Sequence, residues 1–252
     1  MNFSIAVLGI LWLALPSASA SAADTLSTLL TGVSEAERLA TPLRADATAE
    51  IDNVKGQTQD HVVMIERSAA GKTPERQVYV QFEKAKVKLL ALSASEIHLA
   101  ADGKGKKAAA DAAVDSTSWT AEDFLPFSPS RCAAMRIADL NTEKITLVCE
   151  PNHKLSQYSL MVYKFDRQKS AIEQVLLYKD SMTNLVKMIR NDDFEQIGSK
   201  WRPKRVVMQD FKLRTKDTFE IRWREVPSVP PEVFDPKSFA AAAPLQEAAA
   251  TP

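Results

Sequence analysis

Along residues 24–40 the apolar positions Leu26, Leu29, Leu30, Val33 and Leu39 recur close to every 3.6 residues, with polar side chains between them. That spacing predicts a helix with one greasy stripe. It must stop before Pro42, which lacks a backbone donor and pushes the preceding residue toward extended geometry. From residue 43 the period changes to two: Leu43, Ala45, Ala47, Ala49 and Ile51 alternate with Arg44, Asp46, Thr48, Glu50 and Asp52. This predicts a strand with one buried face. The alanines on that face leave room where a tightly filled sandwich wants larger side chains.

Further strand-like runs occur at residues 62–67, 77–82, 87–92 and 95–100, separated by turn-forming segments around Gly56 and Gly71. Residues 102–118 are rich in Gly, Lys, Ala and Asp and poor in bulky apolar residues, which predicts a mobile loop or weak helix. The strand rhythm then resumes at 135–138, 145–149, 158–165, 172–178, 184–190, 205–211 and 218–224. Antiparallel pairing in a meander is the simplest topology for so many short strands. In the last run Phe219, Ile221 and Trp223 alternate with Thr218, Glu220, Arg222 and Arg224, so one face is large and apolar and the other charged. After Phe239 the pattern ceases, and residues 240–252 are expected to be a disordered tail.

The first 22 residues bear on the compartment. Residues 5–15 are an apolar run followed by Pro16 and a stretch of small residues, which predicts a signal peptide cleaved after Ala20 or Ala22, both in Ala-x-Ala settings. The run is about half the roughly 20 residues a membrane-crossing helix needs. Residues 23–239 then form one domain in an exported, oxidising compartment, the periplasm. There Cys132 and Cys149 are expected to form a disulfide across a hairpin turning symmetrically about Leu140 and Asn141. Lys plus Arg (32) equals Asp plus Glu (32), so no net field draws the protein to nucleic acid or to an acidic membrane surface.

Catalytic chemistry finds little support. His61, His98 and His153 lie far apart without metal-ligand spacing, and neither a Gly-x-Ser-x-Gly nor a His-Glu-x-x-His pattern occurs. Asp192 and Asp193 read as a turn. No cofactor, no metal and no enzymatic activity are expected.

Several segments taken in order carry a resemblance. Residues 118–124 (Ser-Trp-Thr-Ala-Glu-Asp-Phe) form an acidic stretch before a central hairpin, and 158–166 a tyrosine-led strand. Leu177-Tyr178-Lys179-Asp180 precedes the lysine-bearing Leu185-Val186-Lys187, and Trp201-Arg202-Pro203 leads into Val207-Met208-Gln209-Asp210. An exit segment spans 229–234. Together these resemble the outer-membrane lipoprotein-sorting protein family, the LolA-like periplasmic carriers, in its broader branch. The resemblance implies an α+β, mainly β fold: an incomplete, half-open antiparallel β-barrel with helices over its concave face and acyl chains held between.

The expected lipid site then combines Phe219, Ile221 and Trp223 with Ala45, Ala47 and Ala49 on the sheet, and Leu29, Leu30 and Val33 as cover. The implied partners are lipoprotein or lipid acyl chains, an inner-membrane transporter as donor and an outer-membrane acceptor, served by a monomer. The alternative is a non-catalytic interaction module accessory to an envelope transporter, with the same sheet and a filled core.

Overall fold

In the computed structural model, residues 22–53, 56–69, 75–114 and 117–242 are described. The predicted signal peptide, the turns at 54–55 and 70–74, and the tail beyond 242 lie outside them, apart from Ala22, where the first helix begins. Helix α1 spans Ala22–Glu37, ending three residues earlier than its apolar spacing suggested. Leu39, just past it, is buried and its backbone N–H donates to Ser68 Oγ at 2.8 Å.

Strands β1 (Leu43–Asn53), β2 (Gly56–Ser68), β3 (Arg76–Phe82), β4 (Val87–Ser93), β5 (Glu96–Ala101) and β6 (Lys104–Lys107) form one meander. Strands β7 (Cys132–Leu140), β8 (Lys144–Pro151), β9 (Leu160–Asp166), β10 (Ala171–Tyr178), β11 (Leu185–Ile197), β12 (Lys200–Asp210) and β13 (Thr215–Glu225) form a second. All thirteen belong to a single open antiparallel sheet in the order β6-β5-β4-β3-β2-β1-β13-β12-β11-β10-β9-β8-β7. The meanders join where β1 pairs with β13, Ala45 opposite Trp223, Ala47 opposite Ile221 and Ala49 opposite Phe219. Asp192 and Asp193, expected in a turn, lie inside β11, with Asp193 at φ 53°.

Strand order forces the chain across the sheet. Strands β6 and β7 are neighbours in sequence yet are the two outer edges of the sheet, so residues 108–131 must travel from one edge to the other. Residues 108–114 and 117–131 lie across the inner face, and the ring contacts show that this face is curved. Phe124 meets Phe82 of β3 at 6.2 Å, while Phe127, three residues on, meets Tyr163 of β9 at 4.8 Å. Seven strand steps separate β3 from β9, about 34 Å along the sheet at about 4.8 Å per step, and three residues span only about 10 Å. The sheet therefore wraps around the crossing segment. The mobile loop or weak helix expected at 102–118 is corrected accordingly: Lys104–Lys107 is the edge strand β6, and the chain beyond it folds back on itself, with Ala113 bridging Thr120 and Val114 fully buried.

The outer face is covered on the other half of the sheet. Val63, Ile65, Tyr79, Leu90 and Ala100 form a second apolar cluster with Val233, Phe234, Phe239 and Ala242 of the C-terminal segment. Arg67 lies over the Phe234 ring at 4.0 Å, and Lys88 Nζ donates to the carbonyls of Ala240 and Ala242 at 2.9 and 2.7 Å. Gly105 makes room for Phe239, since a Cβ there would stand 2.9 Å from the ring. Thus Ala240 and Ala242, expected in the disordered tail, are part of the fold because Phe239 anchors them.

The disulfide joins Cys132 and Cys149 with Cα atoms 5.4 Å apart. The symmetric hairpin is corrected: Leu140 pairs with Ile145 around a turn at 141–143, and Cys149 sits opposite Met135 while Cys132 sits opposite Pro151. Two bulges in β7, at Cys132/Ala134 and Ile137/Asp139, each shift the register by one residue and together bring Cys132 two residues closer to Cys149.

Candidate functional site: a cavity beneath the crossing segment

The segment 108–131 carries two short 3-10 turns, Ala121–Phe124 and Pro129–Arg131. Between them Leu125 is extended, as expected of a residue before proline. The segment's apolar side chains face down: Trp119 stacks on Phe124 at 4.8 Å and meets Phe219 of β13 edge-on at 5.2 Å, and Phe127 contacts both Tyr163 and Phe165. Such aromatic pairs contribute about 0.5–1.5 kcal/mol each beyond the area they bury.

Two polar anchors, at Asp123 and Asp217, hold the segment to the sheet, and Glu122 braces it internally and to the loop before β9. Asp123, whose side chain is fully buried, accepts from Lys187 Nζ of β11 at 2.7 Å and from Tyr158 Oη at 2.5 Å. It also accepts from the Thr120 N–H and hydroxyl at 2.8 and 2.9 Å. Burial and the neighbouring Asp123 charge push the Tyr158 hydroxyl far above the usual phenol range, so it stays a donor.

Glu122, almost as buried, pairs with Arg131 Nη2 at 2.8 Å and accepts the Gln157 N–H at 2.9 Å. Burial nevertheless raises its carboxyl above the ordinary value, outweighing the Arg131 charge. Asp217 of β13 is completely buried and accepts the backbone N–H groups of Ser118 at 2.8 Å and Asp52 at 3.0 Å. Burial raises its carboxyl as well.

Beneath this strap lies a cavity of about 210 Å³. Its floor is the inner face of β9 to β13, including Met161, Val175, Leu177, Ile189 and Val206, and its roof is Trp119 with Phe124 to Phe127. One end is charged. Arg76 and Arg202 both approach Glu66 Oε2, at 3.3 and 3.4 Å.

Of the residues expected at a lipid site, Phe219, Ile221 and Trp223 do line this cavity, and the Trp223 indole is held by a bond to the Pro203 carbonyl at 2.8 Å. Ala45, Ala47 and Ala49 are fully buried in the same core beside them but are not cavity walls. Leu30 and Val33 of α1 also pack on that core away from the cavity, and the Leu29 side chain lies outside the described residues.

Sequence reading missed the roof altogether. The clue was available: Trp119, Phe124, Leu125 and Phe127 crowd four large apolar residues into nine positions with no strand period. Among the described residues no three His, Cys, Asp or Glu side chains gather as a metal site requires. No described helix is long and apolar enough to cross a membrane.

No family model matches the chain, and no curated protein matches it in sequence. Solved structures do match. A putative outer membrane lipoprotein-sorting protein domain from Vibrio parahaemolyticus superposes with a TM-score of 0.74 at 13% identity, covering 84% of this chain and 97% of that one. A DUF1329 family protein from Desulfovibrio piger gives 0.70 at 10% identity over 82% and 95%. A LolA superfamily protein from Nitrosomonas europaea gives 0.61 at 11% identity over 83% and 96%. The thirteen-stranded open sheet that wraps its own crossing segment is therefore the LolA-like fold.

Proposed function

We propose that the protein is a non-catalytic periplasmic carrier. It takes acyl chains of a lipoprotein or other lipid into the cavity under the 108–131 strap and moves them from an inner-membrane donor to an outer-membrane acceptor. The observation that carries this reading is a largely apolar hollow of about 210 Å³ left open between a curved sheet and a strap that can be unfastened where Asp123 meets Lys187 and Ser118 meets Asp217. The volume falls below the roughly 300–1,000 Å³ of pockets that enclose drug-sized ligands. A full-length chain therefore enters only as the strap lifts. Each CH₂ buried is worth about 0.8 kcal/mol, so a long chain supplies ample driving force for that movement. The predicted signal peptide, the disulfide and the likeness to a lipoprotein-sorting domain support the compartment and the cargo class.

Two measurements test the proposal. Native mass spectrometry of protein isolated gently from cells should find co-purifying lipid. Titration with a fluorescent fatty acid should show saturable uptake that Val206→Phe abolishes by filling the cavity and that Leu140→Ser, at an exposed position outside the cavity lining, preserves. Thermal melting confirms that both variants fold, since overpacking costs about 1–3 kcal/mol. A wild-type protein that arrives lipid-free and takes up no fatty acid sinks the carrier reading. If the same lipid-free protein comes in a stable protein complex, the interaction module takes its place.

A further inference from the structure

Among the described residues the exposed large hydrophobic side chains are Leu140, Met182, Phe211 and Leu213. Scattered singly such residues need no explanation, but three of these four stand together. Phe211 and Leu213 form the turn between β12 and β13, and Met182 lies in the loop between β10 and β11. Strand β11 carries the chain away from that rim and β12 returns it, so both hairpins project from the same end of the sheet. The Phe211 N–H donates to the Val186 carbonyl at 2.9 Å, fastening one hairpin to the other.

The turn is built to present its side chains. Asp210, itself buried, accepts the N–H groups of Lys212 at 2.9 Å and Leu213 at 2.8 Å, and Arg214 takes a left-handed φ of 56°. All four residues 211–214 are exposed. Apolar and basic residues alternate as Phe211-Lys212-Leu213-Arg214, followed by exposed Lys216, with no acidic residue from 211 to 216. In a chain with balanced charge this is a local excess of three positive charges.

We propose that the β10–β11 and β12–β13 hairpin tips dock the protein onto a bilayer that carries anionic lipid. Apolar side chains on protruding tips can sink into the acyl boundary, whereas a protein partner would more readily read a flat or grooved patch. The interleaved Lys212, Arg214 and Lys216 then stand at headgroup level, where cations gain from the negative surface. Long basic side chains keep their charge in water while their stems follow the apolar residues inward. The proposal stands whether or not the cavity holds an acyl chain.

Co-sedimentation of the full chain with vesicles of phosphatidylcholine, with and without phosphatidylglycerol, tests it. Binding is expected only when phosphatidylglycerol is present and should weaken as added salt shortens the screening length. Each basic side chain is worth about five-fold in partitioning, so Lys212→Gln with Arg214→Asn should lower it roughly 25-fold; asparagine suits the left-handed position. Phe211→Ser with Leu213→Ser should lower binding at every salt concentration. All these positions are exposed, so unchanged melting temperatures and unchanged fatty-acid uptake are expected alongside.

Three results overturn the proposal: no binding to phosphatidylglycerol vesicles, equal binding to pure phosphatidylcholine, or variants that bind like the wild type. The first would hand the tips to a protein partner. Vesicle binding without fatty-acid uptake would end the carrier reading and leave this one intact.

Discussion

Asp123→Asn should unfasten the strap, and its cost can be worked from the surroundings of Asp123. The carboxylate is fully buried, and Lys187 beside it has a side chain only 8% exposed. Replacing the acid by an amide leaves the Lys187 ammonium buried without its charge partner, and breaking a buried pair from one side costs about 3–5 kcal/mol. Lys187→Met should cost a similar amount, because it strands the carboxylate, although Tyr158 and Thr120 still donate to it.

The double variant removes both charges and should recover a large part of that loss, as buried pairs replaced together often do. The coupling in the cycle should reach about 1–3 kcal/mol. Urea denaturation measures it, with the midpoint falling and the slope preserved. Amide exchange across residues 118–124 should accelerate in Asp123→Asn more than exchange in β1 and β2, since local opening precedes global unfolding. Costs that add to within about 0.5 kcal/mol, or exchange that rises uniformly, would refute the role given to this anchor.

Other expectations concern particular groups. Burial raises the carboxyls of Glu122 and Asp217, so the folded state binds their protons more tightly than the unfolded chain does. Their contribution is complete below the ordinary carboxylate value and is lost as pH rises through the raised one. The stability deficits of Glu122→Gln and Asp217→Asn, measured by urea melts across that range, should therefore shrink as pH rises; a deficit that grows would contradict the assignment. Reducing the Cys132–Cys149 bond, with a sequence separation of 17, should lower stability by about 3 kcal/mol in the chain-entropy account, read as a shift in urea midpoint. Phe239→Ala should cost about 3–5 kcal/mol, because the ring is completely buried between Gly105 and the outer cluster. A change under about 0.5 kcal/mol would mean the C-terminal segment does not belong to the folded unit.

Local pattern was enough for most of the strands and for the apolar side of β13. Side chains alternate across a strand whatever it pairs with, so Phe219, Ile221 and Trp223 declare a common face from spacing alone. The helix at 22–37 declares itself the same way through its 3.6-residue stripe. Composition pointed to the two cysteines, though their register depended on bulges that leave no mark in the sequence. What no local pattern contains is the order of the strands. Only when β1 closes against β13 do β6 and β7 become opposite edges, and only then must 108–131 cross the inner face. That crossing turns Trp119, Phe124 and Phe127 from unplaced aromatics into a roof, and it brings Asp123 to Lys187, 64 residues away. Both the cavity and its anchors are products of long-range pairing, which depends on the whole sheet and on no single stretch of the chain.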